Sequence, residues 1–253
     1  MHPELFRLHV ASWERPIQSY GALIIVGVTV AILLGLRRAR FYEIGRDDVL
    51  HVGLLGVVGG IAGAALLYIL VHLREFIADP SLFAQQPGLV FYGGLLGGAG
   101  SAFWYCRHFG VSMVRMADLG APCIAIGHAF GRVGCLMGGC CYGRHLDEHH
   151  PLSVFLAEDW RHPVQGYESA GLFLICVILL IASRRLRPRP GALFALYLGL
   201  YSVLRLGMET FFRGDDAERG KLAGIVSTSQ LFAIGSLGIL IVMLLRRRRP
   251  QGA

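Results

Sequence analysis

Apolar positions in this chain gather into seven long runs, separated by shorter polar stretches. The runs cover roughly 17–36, 50–72, 88–106, 116–137, 166–183, 191–209 and 225–245. A helix needs about 20 mostly apolar residues to cross a bilayer, and each run has that length or close to it. The pattern therefore predicts an all-α integral membrane protein of about seven transmembrane helices. No internal repeat or low-complexity linker divides the chain, so residues 1–253 read as a single transmembrane bundle. Residues 1–16 are polar, and the first apolar run is long enough to stay as an anchor rather than act as a cleaved signal. The stretch Phe91-Tyr-Gly-Gly-Leu-Leu-Gly-Gly98 is too glycine-rich for an ordinary lipid-facing helix. It reads as a bent or re-entrant segment, tolerable only where protein or a wet cavity covers it.

Composition supports the membrane reading. Hydrophobic residues make up 54% of the chain and charged residues only 16%, against about 25% charged in an average soluble domain. The net charge of +7 does not point to nucleic acid, because the arginines cluster beside apolar runs instead of forming one stripe. Their placement sets the orientation. Arginines 37, 38, 40, 46, 107, 115, 184, 185, 187, 189 and 246–249 fall on one side, outnumbering those on the other. The amino terminus is expected outside and the carboxyl terminus in the cytoplasm. The loops after the fourth and sixth spans then face outward, and any reaction centre near them lies toward the outer leaflet.

The polar residues inside or beside these runs carry the chemistry. Arg132 lies in the fourth span, where an unpaired charge costs at least about 2.5–3.5 kcal/mol, so it should face a partner or a wet cavity. Its guanidinium suits bidentate contact with phosphate. An anionic phospholipid head group is a natural ligand, with internal pairing or snorkelling as the alternative. Arg205 and Glu209 are four apart on the sixth span and share a face; Arg213 continues it. They form either a structural ion pair or, with Arg132, a shared anion site. Tyr92 offers a phenol for a hydrogen bond or proton, or simply an interfacial anchor. Cys135, Cys140 and Cys141 have ligand types that suit zinc, but Cys-x4-Cys-Cys lacks the common spacing, and adjacent cysteines make a tetrahedral site awkward. Small packing residues are the favoured reading, with disulfide or metal chemistry open. No metal ligand and no cofactor is assigned. Arg161 and His162 sit just before the fifth span, where a head group would lie, and Pro163 suits a helix start.

Taken in order, these segments resemble the prolipoprotein diacylglyceryl transferase family over most of the chain. The resemblance rests on Ser19-Tyr20-Gly21, the Tyr92-Gly93-Gly94-Leu-Leu-Gly run, Asp118 with Ala121-Pro122, and Gly131-Arg132-Val-Gly134. It continues through Tyr142-Gly143-Arg144, Arg161-His162-Pro163-x-Gln165-x-Tyr167-Glu168, Arg205-x-x-x-Glu209-x-x-x-Arg213 and Ser227-x-x-Gln230. It implies a bacterial inner-membrane enzyme that moves the diacylglyceryl group of phosphatidylglycerol to the thiol of a prolipoprotein lipobox cysteine, releasing glycerol phosphate. Its partners would be an anionic phospholipid and a prolipoprotein signal peptide, with no nucleic acid. It further implies Arg132, Arg205, Glu209 and Tyr92 as catalytic positions, with Glu209 orienting Arg205. Gly93, Gly94, Cys135, Cys140, Gly143, Arg144, Arg161, His162, Gln165 and Arg213 would line the substrate. Five positions depart from the family pattern. Tyr92 stands where the family has His, Cys135 and Gly138 where it has Asn, Cys140 where it has Glu, and Ala65 where the second span usually carries Arg. A paralogue acting on another acceptor with Cys140 or Cys141, or a non-catalytic lipid-binding or redox protein, stays open at this point.

Overall fold

A computed structural model describes residues 4–10, 13–79, 81, 88–156, 158–213, 221–222, 226–227, 235 and 238. Its elements run β1 (Glu4–Val10), β2 (Trp13–Gln18), α1 (Ser19–Arg38), a short 3-10 turn (Ala39–Tyr42), α2 (Arg46–Val71), α3 (Leu73–Ala78), α4 (Phe91–His108) and α5 (Met113–Met137). The order continues with β3 (Val154–Leu156), β4 (Asp159–Arg161), α6 (Val164–Leu186), α7 (Ala192–Phe211), β5 (Lys221–Leu222) and β6 (Val226–Ser227).

Helices dominate, and among the described residues five are long and apolar enough to cross a membrane: Ser19–Tyr42, Arg46–Val71, Met113–Met137, Val164–Leu186 and Ala192–Phe211. They match the first, second, fourth, fifth and sixth expected runs. The third run is helical as well, as α4 (18 residues), but it is not among these five. Of the seventh run, 225–245, the start lies in β6 and Gly235 and Gly238 are helical; the rest lies outside the described residues. The strands were not foreseen. Each pair, β1–β2, β3–β4 and β5–β6, is a two-stranded antiparallel hairpin. The pattern rule for a strand needs several alternating positions, and β3 to β6, of two or three residues, offer too few; β1 and β2, of seven and six residues, fall in a stretch read only as polar.

Contacts divide the chain into two compact units, Met1–Leu33 with Gly120–Ala253, and Leu34–Leu119. In the second unit α2 buries only Val49 and Ala64 of its 26 residues. Leu54, Val58, Ile61, Leu66 and Leu70 stand exposed. So continuous an apolar face is at home only against lipid.

What α2 does hold is α4, and glycine is the means. A Cβ on Gly97 would collide with the carbonyl oxygen of Gly59, and one on Gly93 with that of Gly63. Gly59/Gly63 and Gly93/Gly97 are both spaced by four, the small-xxx-small arrangement that lets membrane helices approach backbone to backbone. The Val90 amide adds a hydrogen bond to the Ala64 carbonyl at 3.1 Å. This corrects the expectation of a bent or re-entrant segment: α4 is continuous, and its glycines are spent on helix contact. At the start of α2, Asp47 and Asp48 complement the positive end of the helix. The Tyr105 hydroxyl donates to Asp48 Oδ1 at 3.0 Å.

In the first unit α1, α5, α6 and α7 pack together through equally specific contacts. Gly27 of α1 admits the Phe130 side chain of α5. Ser169 Oγ of α6 donates to the Ala129 carbonyl of α5 at 3.0 Å. Gly171 of α6 receives the Leu204 side chain of α7. These contacts fix the relative height of α5, α6 and α7, and that height decides which polar residues meet.

Candidate active site

Polar residues from those three helices converge on one carboxylate. Glu168, in the second turn of α6, is fully buried. Its Oε1 lies 3.1 Å from Arg132 Nη2 of α5. Arg205 Nη1 of α7 reaches Oε2 at 3.0 Å and Oε1 at 3.2 Å. Arg205 turns its other nitrogen, Nη2, to Glu209 Oε2 at 3.4 Å, and Arg213 Nη1 approaches the same oxygen at 3.7 Å. His128 Nε2, one turn before Arg132, stands 4.0 Å from Glu168 Oε1. The Ser169 bond to α5 is next in sequence to Glu168, so the residue that fixes helix height also fixes the carboxylate.

The sequence pointed to Arg132, Arg205, Glu209 and Arg213, and all four meet here. The expected Arg205–Glu209 pair forms. The residue that joins Arg132 to Arg205, however, is Glu168. It stood in the chain as the last member of the Arg161–Glu168 segment, whose signal was taken from its first residues. Buried between two guanidiniums, Glu168 answers the demand that a charge inside a span find a partner.

The arrangement is not neutral. Among the described residues three guanidiniums face two carboxylates, which leaves one positive charge uncompensated. Among the described residues, Nε of Arg132 and Nε of Arg213 are buried without a hydrogen-bond partner. Unmade hydrogen bonds to charged groups are costly. Burial, and then the charges of Arg205 and Arg132, push Arg213, just past α7, below its ordinary value. Glu209 Oε2 is likewise buried without a hydrogen bond, so among the described residues the cluster holds two unpaired donors and one unpaired acceptor, with a net charge that one monoanion would balance.

Around this cluster the segment between α5 and α6 folds back over the helix ends. Gly143 donates to the His162 carbonyl at 3.0 Å, His162 to the Arg144 carbonyl at 3.1 Å, and Arg144 to the Phe212 carbonyl at 3.0 Å. A side chain on Gly143 would strike Val164, Phe212 and His162, so glycine is needed there for close approach. Arg144 directs Nη2 to the Thr210 carbonyl at 3.1 Å, capping the end of α7. Arg161 lies over the Tyr142 ring at 4.7 Å and near Asp159 at 3.5 Å. These contacts give Gly143, Arg144 and Arg161 local structural partners. His162 packs against Tyr167 and Phe212, and burial, then the nearby His150 and Arg144, holds it below its ordinary value. Gln165 is buried at the start of α6 and donates through Nε2 to the Cys140 carbonyl.

Cys135, Cys140 and Cys141, read from sequence as small packing residues, instead bring their sulfurs within 4.8 Å of one another. Gly139 (φ 69°) and Cys141 (φ 63°) both adopt the left-handed conformation, which turns the chain tightly after α5. Hydrogen bonding from Cys135 holds the Cys141 thiol below its ordinary value. Tyr92, Gly93 and Gly94 belong to the second unit, on the first turn of α4. Gly93 is buried there against Gly63, which accounts for it by helix packing.

The family model for prolipoprotein diacylglyceryl transferase matches residues 8–246. A phosphatidylglycerol–prolipoprotein diacylglyceryl transferase of Clostridium tetani is 34% identical over 98% of this chain and 100% of its own length. A second enzyme of that name, from Clostridium perfringens, is 32% identical over 93% of this chain and 94% of its own. One from Bacillus cereus is 30% identical, covering 98% and 94%. With the match running from β1 past α7 and through every residue of the buried cluster, the chain belongs to the prolipoprotein diacylglyceryl transferase family.

Proposed function

We propose that this chain is a phosphatidylglycerol–prolipoprotein diacylglyceryl transferase, working in a bacterial inner membrane with its site toward the outer leaflet. In this reading seven spans cross the bilayer and the amino terminus lies outside. The acceptor is the lipobox cysteine of a prolipoprotein signal peptide. The observation that carries the reading is the buried cluster, which among the described residues has one uncompensated positive charge and unpaired Nε donors on Arg132 and Arg213. A phosphodiester carries one negative charge and supplies the acceptors those donors lack.

The geometry supports a division of labour. Arg132 and Arg205 hold the donor phosphate, and Glu168 fixes both guanidiniums so that no reorganisation is needed as charge builds on the departing oxygen. Glu209 orients Arg205 from its other side and draws in Arg213. The acceptor thiolate attacks the glyceryl carbon, the carbon–oxygen bond to phosphate breaks, and glycerol phosphate leaves with the electron pair. Tyr92 is proposed as a catalytic position on the family resemblance alone, and Tyr92→Phe tests it by the loss of turnover.

The test is transfer from radiolabelled lipid to a lipobox peptide by the full chain in proteoliposomes. Phosphatidylglycerol should serve as donor and zwitterionic phosphatidylethanolamine should not. Arg132→Ala should abolish turnover while the protein still folds. A normal rate in that variant would refute the phosphate role, and no transfer by folded wild type would refute the activity.

A further inference from the structure

The phosphate cluster leaves the three thiols of Cys135, Cys140 and Cys141 unused. Cys135 sits on the last turns of α5; Cys140 and Cys141 follow in the turn that closes the helix. Adjacent residues normally point their side chains apart, which argues against their joint use. Here the left-handed conformation of Cys141 and of Gly139 before it curls the chain so that both side chains return toward Cys135. Gln165 steadies this turn from α6 by its bond to the Cys140 carbonyl. All three sulfurs end within 4.8 Å of one another.

That spacing suits a metal. Around a tetrahedral zinc with Zn–S bonds of about 2.3 Å, sulfurs lie about 3.8 Å apart. Closing on the ion would then draw them together by no more than about 1 Å. A disulfide would use two sulfurs and strand the third, whereas all three lie within 4.8 Å of one another. Three protein ligands and a vacant fourth position are also the hallmark of a reactive zinc site, since structural sites fill all four. Cys140 and Cys141 are exposed, so the fourth position opens outward. Soft thiolates select thiophilic ions.

We infer that Cys135, Cys140 and Cys141 form a three-thiolate zinc site whose open position takes the acceptor thiol. The role at that position rests on the transfer reading above; the metal site itself does not. A thiol bound there gives up its proton to solvent, because a coordinating thiol is deprotonated outright. The thiolate is the nucleophilic form. It then forms the new sulfur–carbon bond as the carbon–oxygen bond to phosphate breaks, with no change of oxidation state.

The experiment uses the full chain purified in detergent under reducing conditions, reconstituted with zinc or with cobalt. About one zinc per chain is expected, falling about tenfold or more in Cys140→Ser and in Cys141→Ser and staying unchanged in Cys123→Ser. The cobalt form should show intense sulfur-to-metal charge-transfer absorption. A peptide with a free cysteine should shift that spectrum, and the same peptide with serine should not. Wild type that takes up no metal, or whose cysteines react with a thiol reagent equally fast with and without zinc, would overturn the site. A cobalt spectrum unmoved by the cysteine peptide, or full transfer activity in metal-free Cys140→Ser, would overturn the role given to the fourth position. Wild type that holds metal and peptide thiol but transfers nothing from phosphatidylglycerol would leave the metal site standing and remove the transfer reading alone.

Discussion

Glu168→Gln is the most informative change in the buried cluster, because it alters charge while keeping shape. In the native chain this carboxylate touches Arg132 at 3.1 Å and Arg205 at 3.0 Å. At an effective dielectric near 20, a unit pair about 4 Å apart interacts by about 4 kcal/mol, and desolvation of the ions offsets much of that. The measured cost of removing one partner from a buried pair is about 3–5 kcal/mol. Glutamine keeps one acceptor oxygen but turns an amide toward donors, so little of the loss is recovered. The expected result is about 3–5 kcal/mol less stability in thermal unfolding of the detergent-solubilised protein, with Glu168→Asp falling between. The site's surplus also rises from one positive charge to two. Glycerol phosphate, close to a dianion near neutral pH, should then be retained, and product inhibition in the transfer assay should strengthen relative to the affinity for phosphatidylglycerol. An unfolding shift under about 1 kcal/mol together with native turnover would refute the reasoning, by showing that the two arginines find other counterions.

Three further outcomes are expected. Gly97→Leu should break the α2–α4 contact, since even a Cβ there meets the Gly59 carbonyl, whereas Gly100→Leu has open space; protease resistance of the membrane-embedded protein would separate them. His162 is held below its ordinary 6.5 mainly by burial. A depressed folded value means the unfolded chain binds the proton first, so this contribution is present above about pH 6.5 and is lost as pH falls through the folded value. His162→Gln should flatten that part of the stability-against-pH curve, and an unchanged acid slope would count against it. Cys141→Gly should raise metal-free stability by about 1 kcal/mol by relieving a left-handed residue while removing zinc uptake; equal metal content in variant and wild type would exclude Cys141 as a ligand.

Much of this was legible in the sequence, and the reasons differ by scale. The apolar runs located α1, α2, α5, α6 and α7 because a bilayer demands long unbroken stretches, a coarse signal that survives errors of a few residues. Arg132, Arg205 and Glu209 stood out because charge inside such a stretch is expensive. Glu168 did not, because it lies near a helix start where acidic residues are ordinary, and only the packing of α6 against α5 and α7 makes it the shared partner. The glycines of α4 carried a real signal that was read the wrong way: without knowing that Gly59 and Gly63 lay opposite, a close helix contact looked like a broken helix. The thiol cluster was hidden by a backbone angle. Adjacent cysteines point apart in any ordinary conformation, and no spacing rule announces a residue at φ 63°.

That angle bears on what the turn is for. A non-glycine residue in the left-handed region costs on the order of 1–3 kcal/mol, and such strain gathers at functional sites. Gly139, two residues earlier, takes the same conformation without that cost, so the turn itself does not require a side chain at 141. Packing does not require one either, since Cys141 is exposed. What a cysteine at 141 supplies, and a glycine does not, is a third sulfur beside Cys135 and Cys140. The strain is thus tied to the thiol rather than to the fold. In the proposed reaction the thiol site then lies one helical turn from Arg132, and the incoming sulfur and the departing phosphate would be served from consecutive turns of α5.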